Sequence, residues 1–189
     1  MKTTTKIRFT IAMMLLFSAF LTQAQSKLNL QKEGLELKIE GTSTLHDWHM
    51  TSTEATGFVM FKSDEQIPGF SSGEVTFEAE TLKSGKRGMD KNAYKALNTS
   101  DFPKVRFVLK NCNMESAKKG TAEGQLTIAG TTRDVTFEIT LNQNGQQISV
   151  HGATAFKLTN FNVEPPTAML GAIKTGNDVT IEFKSTFQK

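Results

Sequence analysis

The 189-residue sequence contains one cysteine and three histidines, and each scarcity closes a line of chemistry. A single thiol, Cys112, cannot form an internal disulfide, so a core must hold the fold. A lone thiol in a strand-forming stretch reads as a small buried apolar group before it reads as a nucleophile. If His46 and His49 share a strand they face opposite ways, and His151 is distant in sequence, so no metal-ligand set is apparent. No serine stands in a strand-turn-helix nucleophile setting, and no motif places paired carboxylates or metal ligands on a helix. Catalysis is therefore not expected, and no catalytic residue, metal or cofactor is assigned.

A strong charge of one sign is lacking too. The formal net charge is +3, but Lys2, Lys6 and Arg8 account for it, and the remaining basic and acidic residues balance. Without a basic stripe, a nucleic-acid partner is excluded. The longest apolar run, Phe9 to Leu21, falls short of the roughly 20 residues a membrane-spanning helix needs, and polar Gln25, Ser26 and Lys27 follow soon after. Basic residues before it and Thr22-Gln23-Ala24 behind it give residues 1–24 the form of a secretory signal peptide. The expectation is cleavage near Ala24 and a periplasmic or secreted domain over 25–189, without stable membrane insertion. An uncleaved anchor is the alternative. No cysteine near the junction marks a lipoprotein.

What the mature region has is alternation. In Thr121 to Leu141, Leu126 and Ile128 share one face before a turn through Gly130 to Arg133, and Val135, Phe137, Ile139 and Leu141 share one face after it. The opposite positions are polar, which specifies a half-buried antiparallel hairpin. The same period runs through Leu35–Ile39, Glu74–Leu82, Val105–Lys110, Gln146–Leu158 and Asp178–Phe187, and between the first two of these Gly41–Met50 and Gly57–Lys62, the latter apolar on both faces, read as further strands. One interruption, Ser84 to Asn98, combines a basic glycine-flanked loop with a short helix from Lys91 that Asp90 can cap. About eight strands at this spacing make a sandwich or a closed barrel. Pairing the last strand with the first removes both exposed edges, which favours an all-β, single antiparallel barrel with one short helix.

Five segments in order, GTSTLHDW, SGKRGMDKNAYKAL, SDFPKVRF, GQLTIAGTTRDVTF and FKLTNFNVEPP, resemble the YceI-like family of secreted, lipocalin-like proteins over nearly all of 25–189. The resemblance implies an extended barrel whose apolar tunnel holds a polyisoprenoid, an isoprenoid quinone or a similar amphipathic lipid. Patterning alone supports part of this. An eight-stranded barrel is either filled by its side chains or holds one slender ligand. The expected lumen lining is Phe77, Phe107, Phe137, Phe156, Phe183, Ile139 and Ile181. At ~0.8 kcal/mol per buried carbon, about 15 carbons give on the order of 12 kcal/mol gross, against an association cost of roughly 4 to 15 kcal/mol. A short acyl tail would hardly stay; a long chain could.

The expected mouth or headgroup residues are His46, Trp48, Lys86, Arg87, Met169 and Leu170. Each has a bland reading beside it: wall packing for Trp48 and His46, solvated loop charge for Lys86 and Arg87. The segment Asn162 to Gly176, which carries Met169 and Leu170, is either a lid or a plug. The competing functional reading is a packed barrel serving as an interaction module for a protein partner, with a hydrolase third. Ligand identity and oligomeric state, a homodimer included, are left open by the sequence.

Overall fold

In the computed structural model, which describes residues 25–62 and 67–189, the alternating segments pair as one antiparallel sheet. The expected signal segment, 1–24, lies outside the described residues. The strands are β1 (Gln25–Leu30), β2 (Glu36–Ser43), β3 (Trp48–Ser52), β4 (Thr56–Lys62), β5 (Gly69–Glu78), β6 (Lys104–Met114), β7 (Lys119–Ile128), β8 (Thr131–Asn144), β9 (Gln147–Lys157), β10 (Thr167–Ala168) and β11 (Ile173–Gln188). Helix α1 spans Arg87–Leu97 between β5 and β6.

The path β1-β4-β5-β6-β7-β8-β9-β11 returns to β1, closing a barrel of eight strands. Closure falls to β11, which pairs with β9 on one side and with both β1 and β2 on the other. Along that second side, Ser43 to Glu36 face Thr175 to Lys184, and Leu30 and Asn29 face Phe187 and Gln188. Strands β1 and β2 thus form one interrupted strand. Strands β3 and β4, each paired to its partner in that line, form the next. Joining the last strand to the first leaves no long unpaired edge among the described residues, as the sequence pattern implies.

The central hairpin keeps its expected faces: Leu126, Ile128, Phe137, Ile139 and Leu141 are all buried. Its turn is tighter than the sequence suggests, because Ile128 already faces Thr131 and only Ala129 and Gly130 intervene. Both have left-handed φ, 47° and 73°, the geometry that matches strand twist in a two-residue hairpin. Three local expectations differ from the fold. The first strand, Gln25–Leu30, has too little alternation to announce itself. Gly41–Met50 is not one strand but the end of β2, a turn, and the start of β3. That turn is fixed by Ser43, whose Oγ donates to His46 O at 2.7 Å and accepts from the amides of Leu45 and His46 at 3.2 Å. Helix α1 starts at Arg87, one turn before the expected Lys91, so Asp90 lies inside it rather than capping it. The Asp90 carboxylate instead ties down the preceding loop, accepting from Ser84 N at 2.8 Å and Ser84 Oγ at 2.6 Å.

The interior is filled from both ends. One apolar cluster joins Leu28, Val59, Phe61, Phe70, Ile148 and Phe187. The other joins Ala79, Val105, Leu126, Ile128, Phe161 and Val163 at the end where α1 sits. Inward glycines act as notches in the wall. A Cβ on Gly124 would meet the Phe107 ring at 2.6 Å, and one on Gly152 would meet the Phe183 ring at 2.5 Å.

Candidate functional site

The barrel axis carries an apolar space whose free volume is about 120 Å³. Phe77, Phe107, Phe137, Phe183, Ile139 and Ile181 line it, together with Leu37, Ile39, Val75 and Leu126. Three of the rings form a row across it: Phe107 to Phe137 at 5.3 Å and Phe137 to Phe183 at 5.4 Å between centroids, both edge to face. Phe137, in the middle, is only 4% exposed. An apolar cavity near this size stays dry and accepts a ligand no larger than about one benzene ring. Phe156 is not part of this lining. It stands 4.8 Å from Phe161 at the plugged end and lines an open hollow with Val135 and Arg133.

A larger chamber, about 520 Å³, opens at the helical end. Its floor is Ile39, Met50, Trp48 and Leu82, and its roof is the α1 face bearing Met89, Ala93, Ala96 and Leu97. These helix positions follow the three-to-four spacing of an apolar stripe. No residue of α1 is fully buried, so the stripe looks onto free space rather than a packed core. Ile39 lines both chamber and lumen, which places the two end to end.

Helix α1 is held over this chamber by its polar contacts. Tyr94 donates from its hydroxyl toward Leu82 O at 2.7 Å and Glu80 O at 3.0 Å, and it accepts from Lys83 Nζ at 2.8 Å. Thr99, just past the helix, donates to Glu80 Oε1 at 2.7 Å. Burial pushes the Asp90 carboxyl up, and the two Ser84 hydrogen bonds and the Lys83 charge outweigh it, leaving Asp90 below its ordinary value.

Trp48 and His46 line the chamber, and so does Lys86. The Trp48 indole covers Gly41, its partner across the β2–β3 pair, and donates from Nε1 to Thr42 O at 2.9 Å. Only a residue without a Cβ leaves room for that ring. His46 is exposed, with Nδ1 2.6 Å from Asp47 O. Arg87 is exposed and does not line the chamber; Lys91 does. Met169 and Leu170 do not line it either, and their side chains are open to solvent. The segment that carries them divides in two. Its first part plugs the barrel with Val163, beside Phe161 just before the segment, 2% and 1% exposed, and its second part forms a flap on β11 through β10.

His151 stands apart on the outer wall, 2.7 Å from Glu182, which that hydrogen bond holds below the ordinary carboxylate value. Among the described residues no group of three His, Cys, Asp or Glu is placed to hold a metal ion. Sequence reasoning missed the α1 stripe as a chamber wall. The spacing of Met89, Ala93 and Ala96 was the available signal.

A family model for the YceI-like domain matches residues 20–187. A UPF0312 protein of Pseudomonas putida is 26% identical over 137 residues, covering 68% of this chain and 69% of the relative. Two solved structures share the fold. BcnA of Burkholderia cenocepacia superposes with a TM-score of 0.71 at 18% identity, over 83% of this chain and 98% of its own. A polyisoprenoid binding domain of Saccharophagus degradans implicated in plant cell wall breakdown gives 0.64 at 10% identity, over 85% and 97%.

Proposed function

Because this chain belongs to the YceI-like family, we propose that it binds one long apolar or amphipathic lipid of the polyisoprenoid or isoprenoid quinone type, for storage, shielding or transport. The observation that carries this reading is the apolar chamber of about 520 Å³ set end to end with an apolar lumen. The family and the polyisoprenoid-binding neighbour support an apolar ligand in this barrel. The polar end rests in the chamber near Trp48, His46 and Lys86, and the tail runs past Ile39 along Phe77 and Ile181. To pass further it turns the Phe107–Phe137–Phe183 row aside, since the space around those rings takes only a ring-sized group. The role is binding rather than catalysis. Residues 1–24 act as a cleaved signal peptide, and the single domain over 25–189 works in the periplasm or outside the cell.

Organic-solvent extraction of the purified protein followed by mass spectrometry tests this. One isoprenoid lipid per chain is the expected result, and a clean extract from protein purified out of its own producing cells overturns it. The small lumen favours the second reading, a packed barrel that serves as an interaction module for a protein partner, and that same clean extract would favour it.

A further inference from the structure

We propose that the rim of the chamber is a docking surface for an anionic lipid bilayer, with Met169 and Leu170 entering the headgroup layer. Met169, Leu170 and Gly171 follow one another with left-handed φ of 49°, 54° and 90°. Large side chains rarely adopt that conformation, and backbone strain of this kind collects at functional surfaces. Here it turns both side chains away from the barrel: Met169 is 75% exposed and Leu170 fully so. The tip is nevertheless built. Its base is the β10–β11 pair, and Ala172 N donates to Met169 O at 3.2 Å.

A second apolar side chain group joins the same rim. Leu45 is 66% exposed at the tip of the β2–β3 turn. Thr44 N donates to Lys174 O at 2.9 Å, and Lys174 N donates to Thr44 Oγ1 at 3.1 Å, so the two turns are stitched together. Leu45 also lines the chamber, which puts the exposed apolar tips beside its opening.

Charge selects the occupant. Lys86 and Lys91 line the chamber, among the described residues no Asp or Glu does, and Lys174 is exposed between the two stitched turns. Apolar tips with three lysines close by, and the exposed carboxylate of Asp47 in the same turn as Leu45, suit an anionic headgroup layer, which takes up apolar tips and cations together. A second copy of this surface would instead bring the same lysines face to face. The inference holds whatever the barrel carries, since it needs only the rim.

Residues 25–189 contain every strand of the closed barrel, so that chain is mixed with vesicles of phosphatidylcholine, with and without phosphatidylglycerol, and sedimented. The expected result is binding to the phosphatidylglycerol vesicles that weakens with salt and falls about tenfold in the M169S/L170S variant, whose thermal midpoint stays at the parent value. Trp48, the one tryptophan of the chain, is then quenched by nitroxide-labelled lipid in the parent and not in the variant. Parent protein left in the supernatant with anionic vesicles overturns the proposal, as does a variant that binds like the parent. A dimer in sedimentation velocity that M169S/L170S dissolves also overturns it, because the surface then serves self-association. A chain that docks yet yields no lipid on extraction keeps this inference and loses the carrier reading.

Discussion

Phe183 occupies the space over Gly152, its register partner across the β9–β11 pair, so that a methyl group on residue 152 would lie 2.5 Å from the Phe183 ring and 3.1 Å from Ile139 Cγ2. The Phe107 ring likewise lies over Gly124, two residues from its register partner Leu126. The two notches set how far the rings on either side of Phe137 withdraw into the wall, and so how much lumen is left.

Replacing Gly152 with Ala therefore overpacks the barrel. The expected cost is about 1–3 kcal/mol in urea denaturation, with altered NMR shifts for the Phe183 ring. Gly34→Ala is the control, since Gly34 has φ of 75° and nothing within 4 Å of an added Cβ. Its cost, about 1–2 kcal/mol, is backbone strain alone and leaves the Phe183 ring signals in place. Unchanged ring signals in G152A would refute the notch.

Phe137→Ala removes the middle ring of the row. Loss of about 3–5 kcal/mol is expected, together with a cavity that admits an apolar ligand larger than one ring. The check is a thermal midpoint that rises with naphthalene in F137A and does not in the parent, whose space takes only a single ring.

Burial raises the Cys112 thiol above its ordinary value, more than the backbone amide of Phe70 and the charge of Lys62 lower it. Thiolate, the reactive form, is thus scarce in the folded protein at pH 8. Reaction with Ellman's reagent is expected to be at least about tenfold slower in native than in urea-unfolded protein. Equal rates would place the thiol in water.

Asp90→Asn tests what holds the helix over the chamber. The folded value of Asp90 is depressed, so its contribution is present above the ordinary Asp value and is lost as pH falls through the folded one. Because the group is partly exposed, the substitution costs about 1 kcal/mol or less. It is expected to flatten the acid side of the stability profile and to speed trypsin cleavage after Lys86 and Arg87, read by mass spectrometry.

The barrel was legible where one face of a strand is wet and the other dry. Leu126, Val135, Phe137 and Ile139 declare their face because a one-residue slip would drown them. Ala129 did not declare its turn, since alanine carries no preference for left-handed φ and the strand twist imposes it there. Asp90 read as a cap from its spacing, yet Ser84 competes for its carboxylate through a loop contact that no local pattern encodes. Phe161 and Met169 look alike in composition. One ends up 1% exposed and the other 75%, because burial of an irregular segment is decided by what stands opposite it. Four of the five expected lumen phenylalanines line the cavity for the same periodic reason. Phe156 keeps the period but sits one rung too close to the barrel end, beside Phe161.

The strand that shuts the ring follows every other described strand in sequence. β11 runs from Ile173 to Gln188, and among the described strands it alone touches β9, β1 and β2. Until it leaves the ribosome the other strands are a ribbon with two raw borders, and a chain that stops short of residue 173 has no clasp. Such contacts between remote parts of a chain form slowly, so a helper that keeps the ribbon open has time to act before the clasp snaps shut.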